Sequence, residues 1–325
     1  MNSNSTYLAH TIDIPVGCIA TNVSLSKRTW IKRGGMVAVW FNPHNTQQLE
    51  RIGRYLYINH LQFDVIGHTS NTYFTNTYNT DYLLDTKGVQ NIVWKDSVII
   101  CDCGVPLQKL ARICISKGIQ GYEGFYNIPG TVAGGVVDNS GCYGSQMDNI
   151  VLSVDLLTPN GNIVNVPHSS LKYRTRSSAL KRHELQGIIL RVYLDNSHKK
   201  NPEDLQKIGE YNQTLRLYQH EKPAYNLGSV FVYTYEYKRN LRNFLVRAIS
   251  KIMRLLHVDY LKQQKLIKWM LMILYGYTKL NKYISDKNIK CFLWKETEAD
   301  EHFDEFIQFF KTFANKPEIE IDIKK

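Results

Sequence analysis

Five glycines fall within the fifteen residues from Gly130 to Gly144, and apolar Val132, Ala133, Val136 and Val137 lie between them. A flexible linker does not interleave glycine with β-branched apolar residues. Glycine reaches left-handed backbone angles and lets the main chain come close to another group. The stretch Asn127–Gly144 is therefore either a tight turn in a packed domain or one wall of a site for a flat or anionic ligand. A second, shorter signal is Gly67-His68-Thr69-Ser70-Asn71-Thr72, directly after the apolar run Phe63–Ile66. A strand opening into small and hydroxyl residues points several backbone N–H groups at one place, as pyrophosphate loops do.

The surroundings predict a mixed α/β pattern. Thr29-Trp30 and Met36–Phe41 are β-like. Asn45–Asn59 has helical spacing through Leu49, Ile52 and Leu56, and Phe63–Ile66 and Val98–Cys101 are short strands. A helix is expected from Pro106 to Lys117. Ile150–Leu157, Ile163–Val166 and Gly187–Leu194 are strand candidates, the first two joined by the turn Pro159-Asn160-Gly161. Asn196–Asp204 is polar and reads as a linker. Beyond it, Val230–Tyr235 is β-like. Leu241, Leu245, Ile249, Ile252, Met253 and Leu256 recur at helical steps within Arg239–Ile284. A strand (Cys291–Trp294), a helix (Ala299–Phe313) and a last strand (Ile319–Ile323) close the chain. Only Met1–Asn4 reads as a disordered tail.

Charge and cysteine usage narrow the function classes. The net charge is +11, and the segment Lys238–Lys290 alone holds thirteen Lys/Arg against Asp259 and Asp286, leaving the remainder neutral. A nucleic-acid binder spreads its cations differently, so no nucleic-acid partner is expected. Cys18, Cys101, Cys103, Cys114, Cys142 and Cys291 form no C-x-x-C pair and no His cluster joins them, so buried free thiols and no metal are expected. The polar N-terminus has no basic-then-apolar order, and the longest apolar run is Trp269–Tyr275; a cytoplasmic location is the expectation.

At Gly121, Glu123, Ile128-Pro129-Gly130-Thr131, Gly134-Gly135, Asn139, Gly141 and Tyr143-Gly144 the chain resembles the flavin loop of the UDP-N-acetylenolpyruvoylglucosamine reductases, the MurB flavoenzymes. Other pieces follow in the family's order. Leu25-Ser26 to Gly34-Gly35 looks like the entry motif. Gly67–Asn71 is similar to the family's G-x-G-S-N loop, with Thr69 where a glycine is usual. Asn226-Leu227-Gly228-Ser229-Val230-Phe231 is similar to N-x-G-S-x-F. The resemblance covers residues 25–232 and the last thirty or so. It implies an α+β chain: a two-part FAD-binding domain of the PCMH/vanillyl-alcohol-oxidase type at 1–195 (subdomains 1–110 and 111–195), then an α+β substrate domain at 196–325. FAD would be held by Gly67 to Thr72, Ile128 to Thr131, Gly134, Gly135, Asn139, Gly141, Tyr143 and Gly144, with NADPH or NADH as hydride donor and a UDP-sugar as substrate.

The same resemblance implies catalytic roles. Ser229 takes the place of the proton donor. For the substrate-facing arginine, Tyr173 in front favours Arg174, whereas spacing favours Arg176, which lies fifteen residues after Gly161 with Ser178 and Lys181 following. Arg176 is preferred, with Arg174 as alternate. On a strand both would share a face. In the closing segment Glu320 takes the second-acid place, with Glu318 as alternate. The reaction implied is reduction of an enolpyruvyl ether on a UDP-sugar, in peptidoglycan or surface-polysaccharide precursor synthesis. A sugar or alcohol oxidase of the same superfold and a non-catalytic flavin-binding scaffold are the rivals.

After Phe231 the resemblance ends, and the basic segment 238–290 stands where the family's sugar-contacting part would be. A packed amphipathic hairpin with a solvated basic face is the leading reading of it. Binding of a different nucleotide sugar, with the cations meeting its diphosphate, and contact with a membrane surface or another partner are the alternatives.

Overall fold

The computed structural model describes residues 3–222, 224–232 and 236–325. It divides into two units. Unit 1 comprises Met1–Leu25, Gly35–Thr69 and Tyr78–Thr214; unit 2 comprises Ser26–Gly34, Ser70–Thr77 and Leu215–Lys325. The cut expected between 195 and 196 is placed elsewhere in the chain than this division, which falls after Thr214 and gives two earlier segments to unit 2.

In chain order, α1 (Ser3–Ile12) starts where a disordered tail was expected, with Met1 and Asn2 outside the described residues. β1 (Ile19–Ser24), β2 (Met36–Phe41), α2 (Thr46–Ile58) and β3 (Phe63–Ile66) follow. β4 (Thr72–Phe74) belongs to unit 2, and β5 (Asn79–Asp85), β6 (Ile92–Trp94), β7 (Val98–Asp102) and α3 (Leu107–Ser116) to unit 1. Next come α4 (Val132–Asp138), the short pair β8 (Gly141–Cys142) and β9 (Ser145–Gln146), then β10 (Val151–Leu157), β11 (Ile163–Pro167) and β12 (Ile188–Asp195). The chain ends with α5 (Pro202–Gln219), β13 (Glu236–Tyr237), α6 (Leu241–Leu255), α7 (Tyr260–Tyr275), α8 (Phe303–Phe313), β14 (Ala314–Asn315) and β15 (Asp322–Lys324).

Unit 1 is built on two sheets. One has the order β1-β2-β5-β3, with β2, β5 and β3 parallel and β1 antiparallel at the edge. The other is the antiparallel β11-β10-β12-β7-β6. Helix α2 forms where the apolar spacing predicts it. Asn45 caps it by accepting from the Gln48 amide at 2.9 Å, and Leu49, Ile52 and Leu56 are fully buried. Gly53 lets α2 settle on the sheet, because a Cβ there would meet Leu157 Cδ2 at 2.6 Å. Residues 196–201 are not a free linker. Gln120 donates to the His198 carbonyl, Lys200 to that of Gly118, and Ile119 bridges Lys199.

Unit 2 packs around aromatic rings. Phe231, Phe292, Trp294, Phe306, Phe310 and Phe313 are buried side by side, with Phe231 stacked on Phe310 at 4.1 Å between ring centroids. Each such burial contributes roughly 1.5–3 kcal/mol. Four expectations are corrected here. Thr29-Trp30 is a turn, closed by the Thr29 hydroxyl donating to the Arg33 carbonyl at 2.6 Å. Cys291–Trp294 is irregular apart from a bridge between Phe292 and Ile284. The closing strand is Asp322–Lys324, parallel to β4, with Ile319 bridging Phe231 upstream of it. Finally, the apolar stripe that predicted α6 does not face the core. Leu241, Leu245, Ile252 and Leu256 are exposed, while Asn243 and Val246 are buried. Asn243 is satisfied there by donating to the Phe313 and Lys238 carbonyls at 2.9 and 2.8 Å. Of the expected strand Val230–Tyr235, residues 233–235 lie outside the described residues.

Five cysteines are buried free thiols and Cys142 is half-buried. Burial pushes the Cys101 thiol up to about 12. Among the described residues no cluster of His, Cys, Asp and Glu is disposed to hold a metal ion, and no helix is long and apolar enough to cross a membrane.

His220 provides a pH test of unit 2. Burial, then Arg216, Lys290 and Lys287, lower its pKa from 6.5 to about 4. The unfolded chain therefore binds the proton first. The stability at stake is fully present above pH 6.5 and is lost as pH falls toward 4. Urea titrations across this window should show up to about 3 kcal/mol of acid destabilisation, largely absent in His220→Gln. Identical pH profiles for the two proteins would refute the assignment.

Candidate functional site

In unit 1 the two glycine-containing loops meet. β3 ends at Ile66, whose carbonyl accepts from the Thr86 hydroxyl at 2.9 Å. Gly67 follows, and a Cβ on it would lie 2.6 Å from Thr131 Oγ1. The loop carrying Gly67, His68 and Thr69 thus rests directly on the start of α4. Thr69 is buried with φ +53°, a left-handed angle that costs a β-branched residue strain and suits the glycine usual at this place in the flavoprotein motif. Burial, then the charge of Lys87, lowers the His68 pKa.

The glycine-rich run, read from the sequence as a tight turn or one wall of a ligand site, contains a helix. Thr131 caps α4 by accepting from the Gly134 amide at 3.2 Å. Gly130 precedes it at φ +141°. Leu107 donates to the Gly130 carbonyl, Val132 to that of Val105 and Ala133 to that of Cys103, which tie Gly130 to Ala133 to the start of α3. Gly135 faces Leu107 and Met147 with only 3.1–3.4 Å to spare for a Cβ, so a helix with side chains here could not pack as closely. Asn139 ends α4 in the left-handed region at φ +46°. Gly141, Tyr143 and Gly144 form the β8–β9 hairpin, whose two turn residues have φ +48° and +87°. Ile128 and Pro129 lead into Gly130 from a short 3-10 segment, Glu123–Asn127.

Asn139 joins this wall to the arginines. Its amide donates to the Arg174 carbonyl at 2.9 Å, and its Oδ1 accepts from the Asp148 amide at 3.0 Å. Arg174 and Ser177 pair in both directions, so Arg174-Thr175-Arg176-Ser177 is a tight turn with Arg176 at φ +54°. This corrects the expected strand: the two arginines do not share a face by alternation. Arg174 is exposed and Arg176 is half-buried. After the turn, Ser178 donates to the Val137 carbonyl at 2.7 Å and Lys181 pairs with Asp138 at 2.7 Å, fastening the segment to the end of α4. Among the described residues the buried Tyr173 Oη has no hydrogen-bond partner, and burial, then the charge of Asp148, raises its pKa. A cradle that admits only glycine at Gly67 and an orphaned buried hydroxyl beside Arg174 fit a flat, anionic ligand.

Unit 2 carries Ser229, Glu320 and Glu318. Asn226 Oδ1 accepts from the Gly228 amide at 3.1 Å, and Gly228 has φ +77°, which sets the turn that presents Ser229. Ser229 Oγ accepts from the Asn288 amide at 2.9 Å. Val230 donates to the Lys290 carbonyl, Glu320 to that of Val230, and Val232 to that of Glu318. Ser229 and Glu320 are therefore on adjoining backbone segments, with Glu320 half-buried and Glu318 exposed. Ser70, Asn71 and Thr72 also lie in unit 2. Asn71 accepts from the Asp322 amide at 2.9 Å and its side chain donates to the Glu320 carbonyl at 3.4 Å. Asn288 was missed in the sequence, where an asparagine 59 positions from its partner carries no signal.

Residues 37–167 match the family model described as an FAD binding domain. The match takes in Gly67–Thr72 and the whole Ile128–Gly144 wall, and excludes both arginines, Ser229 and Glu320. Among curated proteins, a UDP-N-acetylenolpyruvoylglucosamine reductase of Caldanaerobacter subterraneus subsp. tengcongensis is 27% identical over 197 residues, covering 61% of this chain and 65% of that protein. The protein of the same name from Listeria welshimeri is 28% identical over 162 residues, 50% of this chain and 54% of its own. The chain thus spans between half and two thirds of the length of these relatives. A crystal structure of UDP-N-acetylenolpyruvylglucosamine reductase from Thermus caldophilus is similar over 94% of this chain and 98% of that one, with TM-score 0.66 and 16% identity, a likeness of fold.

Proposed function

We propose that this chain, similar to UDP-N-acetylenolpyruvoylglucosamine reductases, is an FAD-dependent, NAD(P)H-using reductase of an enolpyruvyl ether on a UDP-sugar. The observation that carries this reading is the seating of Gly67 on Thr131, which joins the two loops within the FAD-binding match. In it, the cofactor is assigned to Gly67 to Thr72 and the Ile128–Gly144 wall, and the proton chemistry to Ser229 and Glu320.

FAD bound there would supply the hydride chemistry that links NAD(P)H to the enolpyruvyl double bond. Reduction of the double bond also needs a proton, and its delivery is assigned to Ser229. Asn288 donates into Ser229 Oγ, which leaves the hydroxyl proton to point away and lowers the cost of negative charge on that oxygen. Glu320, half-buried, is the second acid and restores the proton. Arg176 pairs with the substrate carboxylate as charge builds on it, a task suited to a planar guanidinium.

Two measurements test the reading. The pure protein should show flavin absorbance bands, and after anaerobic reduction by NADPH it should be reoxidised by UDP-N-acetylglucosamine enolpyruvate. A colourless protein that takes up no added FAD would end the proposal. Flavin reoxidised rapidly by oxygen, with peroxide released and no response to the ether, would make the chain an oxidase instead. On the same assay Arg176→Ala should lower kcat/KM by about 100-fold, the loss of one transition-state charge partner. Arg174→Ala should stay within about threefold, as expected for an exposed cation. The reverse pattern would transfer the role to Arg174.

A further inference from the structure

The cations of segment 238–290 are not all solvated, and the apolar side of α6 is not covered. Lys268 is buried in unit 2, where it pairs with Asp286 and donates to the Ile284 carbonyl at 3.1 Å. Outside, Leu241, Phe244, Leu245, Ile252, Leu255 and Leu256 are between 43% and 73% exposed. At 3.6 residues per turn these six lie within about 120° of the helix circumference, opposite the buried Asn243 and Val246. Arg247, Lys251 and Arg254, all exposed, line one edge of the stripe, and Arg242 lies at the other, over the Tyr275 ring of α7 at 5.3 Å. Helix α7 adds exposed Trp269 and Ile273, with Lys262 and Lys265 exposed nearby in sequence.

We propose that α6 is an interfacial helix that docks unit 2 onto an anionic lipid surface. An exposed apolar stripe about 120° wide, edged by long cationic side chains, matches the boundary between acyl chains and headgroups. The stripe enters the acyl boundary while the arginines and lysine extend to the phosphates. Charge decides against a second copy as the occupant, since the segment carries thirteen cations and two acids and would face itself with the same sign. Trp269 is of a residue type that favours the headgroup level, and Phe244 of one that joins the buried apolar face. Among the described residues no helix is long and apolar enough to cross a bilayer, and the contact proposed is peripheral.

The test uses the full chain and sedimentation with vesicles. Wild type should pellet with phosphatidylcholine vesicles containing phosphatidylglycerol at low salt, and much less with phosphatidylcholine alone. High salt should weaken binding by about tenfold or more, as screening of surface charge requires. Leu245→Glu with Ile252→Glu should lower the partition coefficient by about tenfold or more while flavin content and far-UV circular dichroism stay unchanged. If that variant does not fold, Arg247→Gln with Lys251→Gln and Arg254→Gln should abolish the preference for anionic vesicles. Absence of binding at low salt, or binding unaltered by both sets of substitutions, would overturn the proposal. So would a concentration-dependent dimer in sedimentation velocity that the Glu variant dissolves without any lipid binding, which would assign the stripe to a second copy.

Discussion

Ser229→Ala should leave reduction of the flavin by NADPH intact and slow the ether-dependent reoxidation by about 10³-fold. That lies in the middle of the range for loss of a positioned general acid and corresponds to about 4 kcal/mol in the barrier. The argument rests on where the hydroxyl is held. Ser229 follows Gly228 at φ +77°, and its oxygen already accepts from the Asn288 amide at 2.9 Å. A hydroxyl whose oxygen is engaged as acceptor has its proton available to a third group. Asn288→Leu should therefore share part of the loss, with the same split between the half-reactions, because it removes the donor and leaves the hydroxyl in place. Anaerobic stopped-flow measurement of each half-reaction decides the matter. If Ser229→Ala slows both halves equally, the serine serves the fold or the cofactor and not proton transfer.

The second large effect is expected at Gly67. Gly67→Ala puts a Cβ 2.6 Å from Thr131 Oγ1 and 3.0 Å from Thr131 Cγ2. Thr131 cannot simply swing aside, because its Oγ1 caps α4 at the Gly134 amide. Either the cap is lost, at about 1 kcal/mol, or the two loops separate. Both outcomes disturb the wall proposed to hold FAD, so the variant should purify with at most about a tenth of the wild-type flavin, a loss of roughly 1.4 kcal/mol or more in binding. Adding Thr131→Ala opens the space and should return part of the flavin, although the helix cap is gone. Flavin occupancy, read from absorbance against protein concentration, is the measurement. Full occupancy in Gly67→Ala would show that the closeness of the loops has nothing to do with the cofactor.

The legible part of this protein is the part in which chemistry is local. The glycines of the Gly130–Gly144 run could be recognised because each answers a demand of its own stretch of backbone. Gly130 and Gly144 occupy positive φ, and Gly141 lies against Ser145 and Gln146 of its own hairpin. Helix α2 was legible for the same reason, since Asn45 and the buried Leu49, Ile52 and Leu56 all lie within one segment. The helix α4 inside the glycine run was not legible. Two adjacent glycines lower helix propensity, and the contacts that hold α4, such as Ala133 to the Cys103 carbonyl, come from thirty residues away.

Sequence alone determined the family-like flavin loops, the mixed α/β character and the helical period of α6. Only the tertiary structure decided which side of α6 is inside, how the arginines are presented and what holds Ser229. A periodic pattern states that two sides of a helix differ; it does not state which one meets the core. In α6 the polar Asn243 is inside because the Phe313 and Lys238 carbonyls receive its amide, and the leucines remain outside. Arg174 and Arg176 are two apart, which on a strand puts them on one face, yet the paired Arg174 and Ser177 backbones make a turn of them. Ser229 and Asn288 meet only because the strand-like segments at 230, 290 and 320 lie side by side. Each of these depends on hydrogen-bond partners or packing surfaces remote in the chain, which a one-dimensional pattern does not carry.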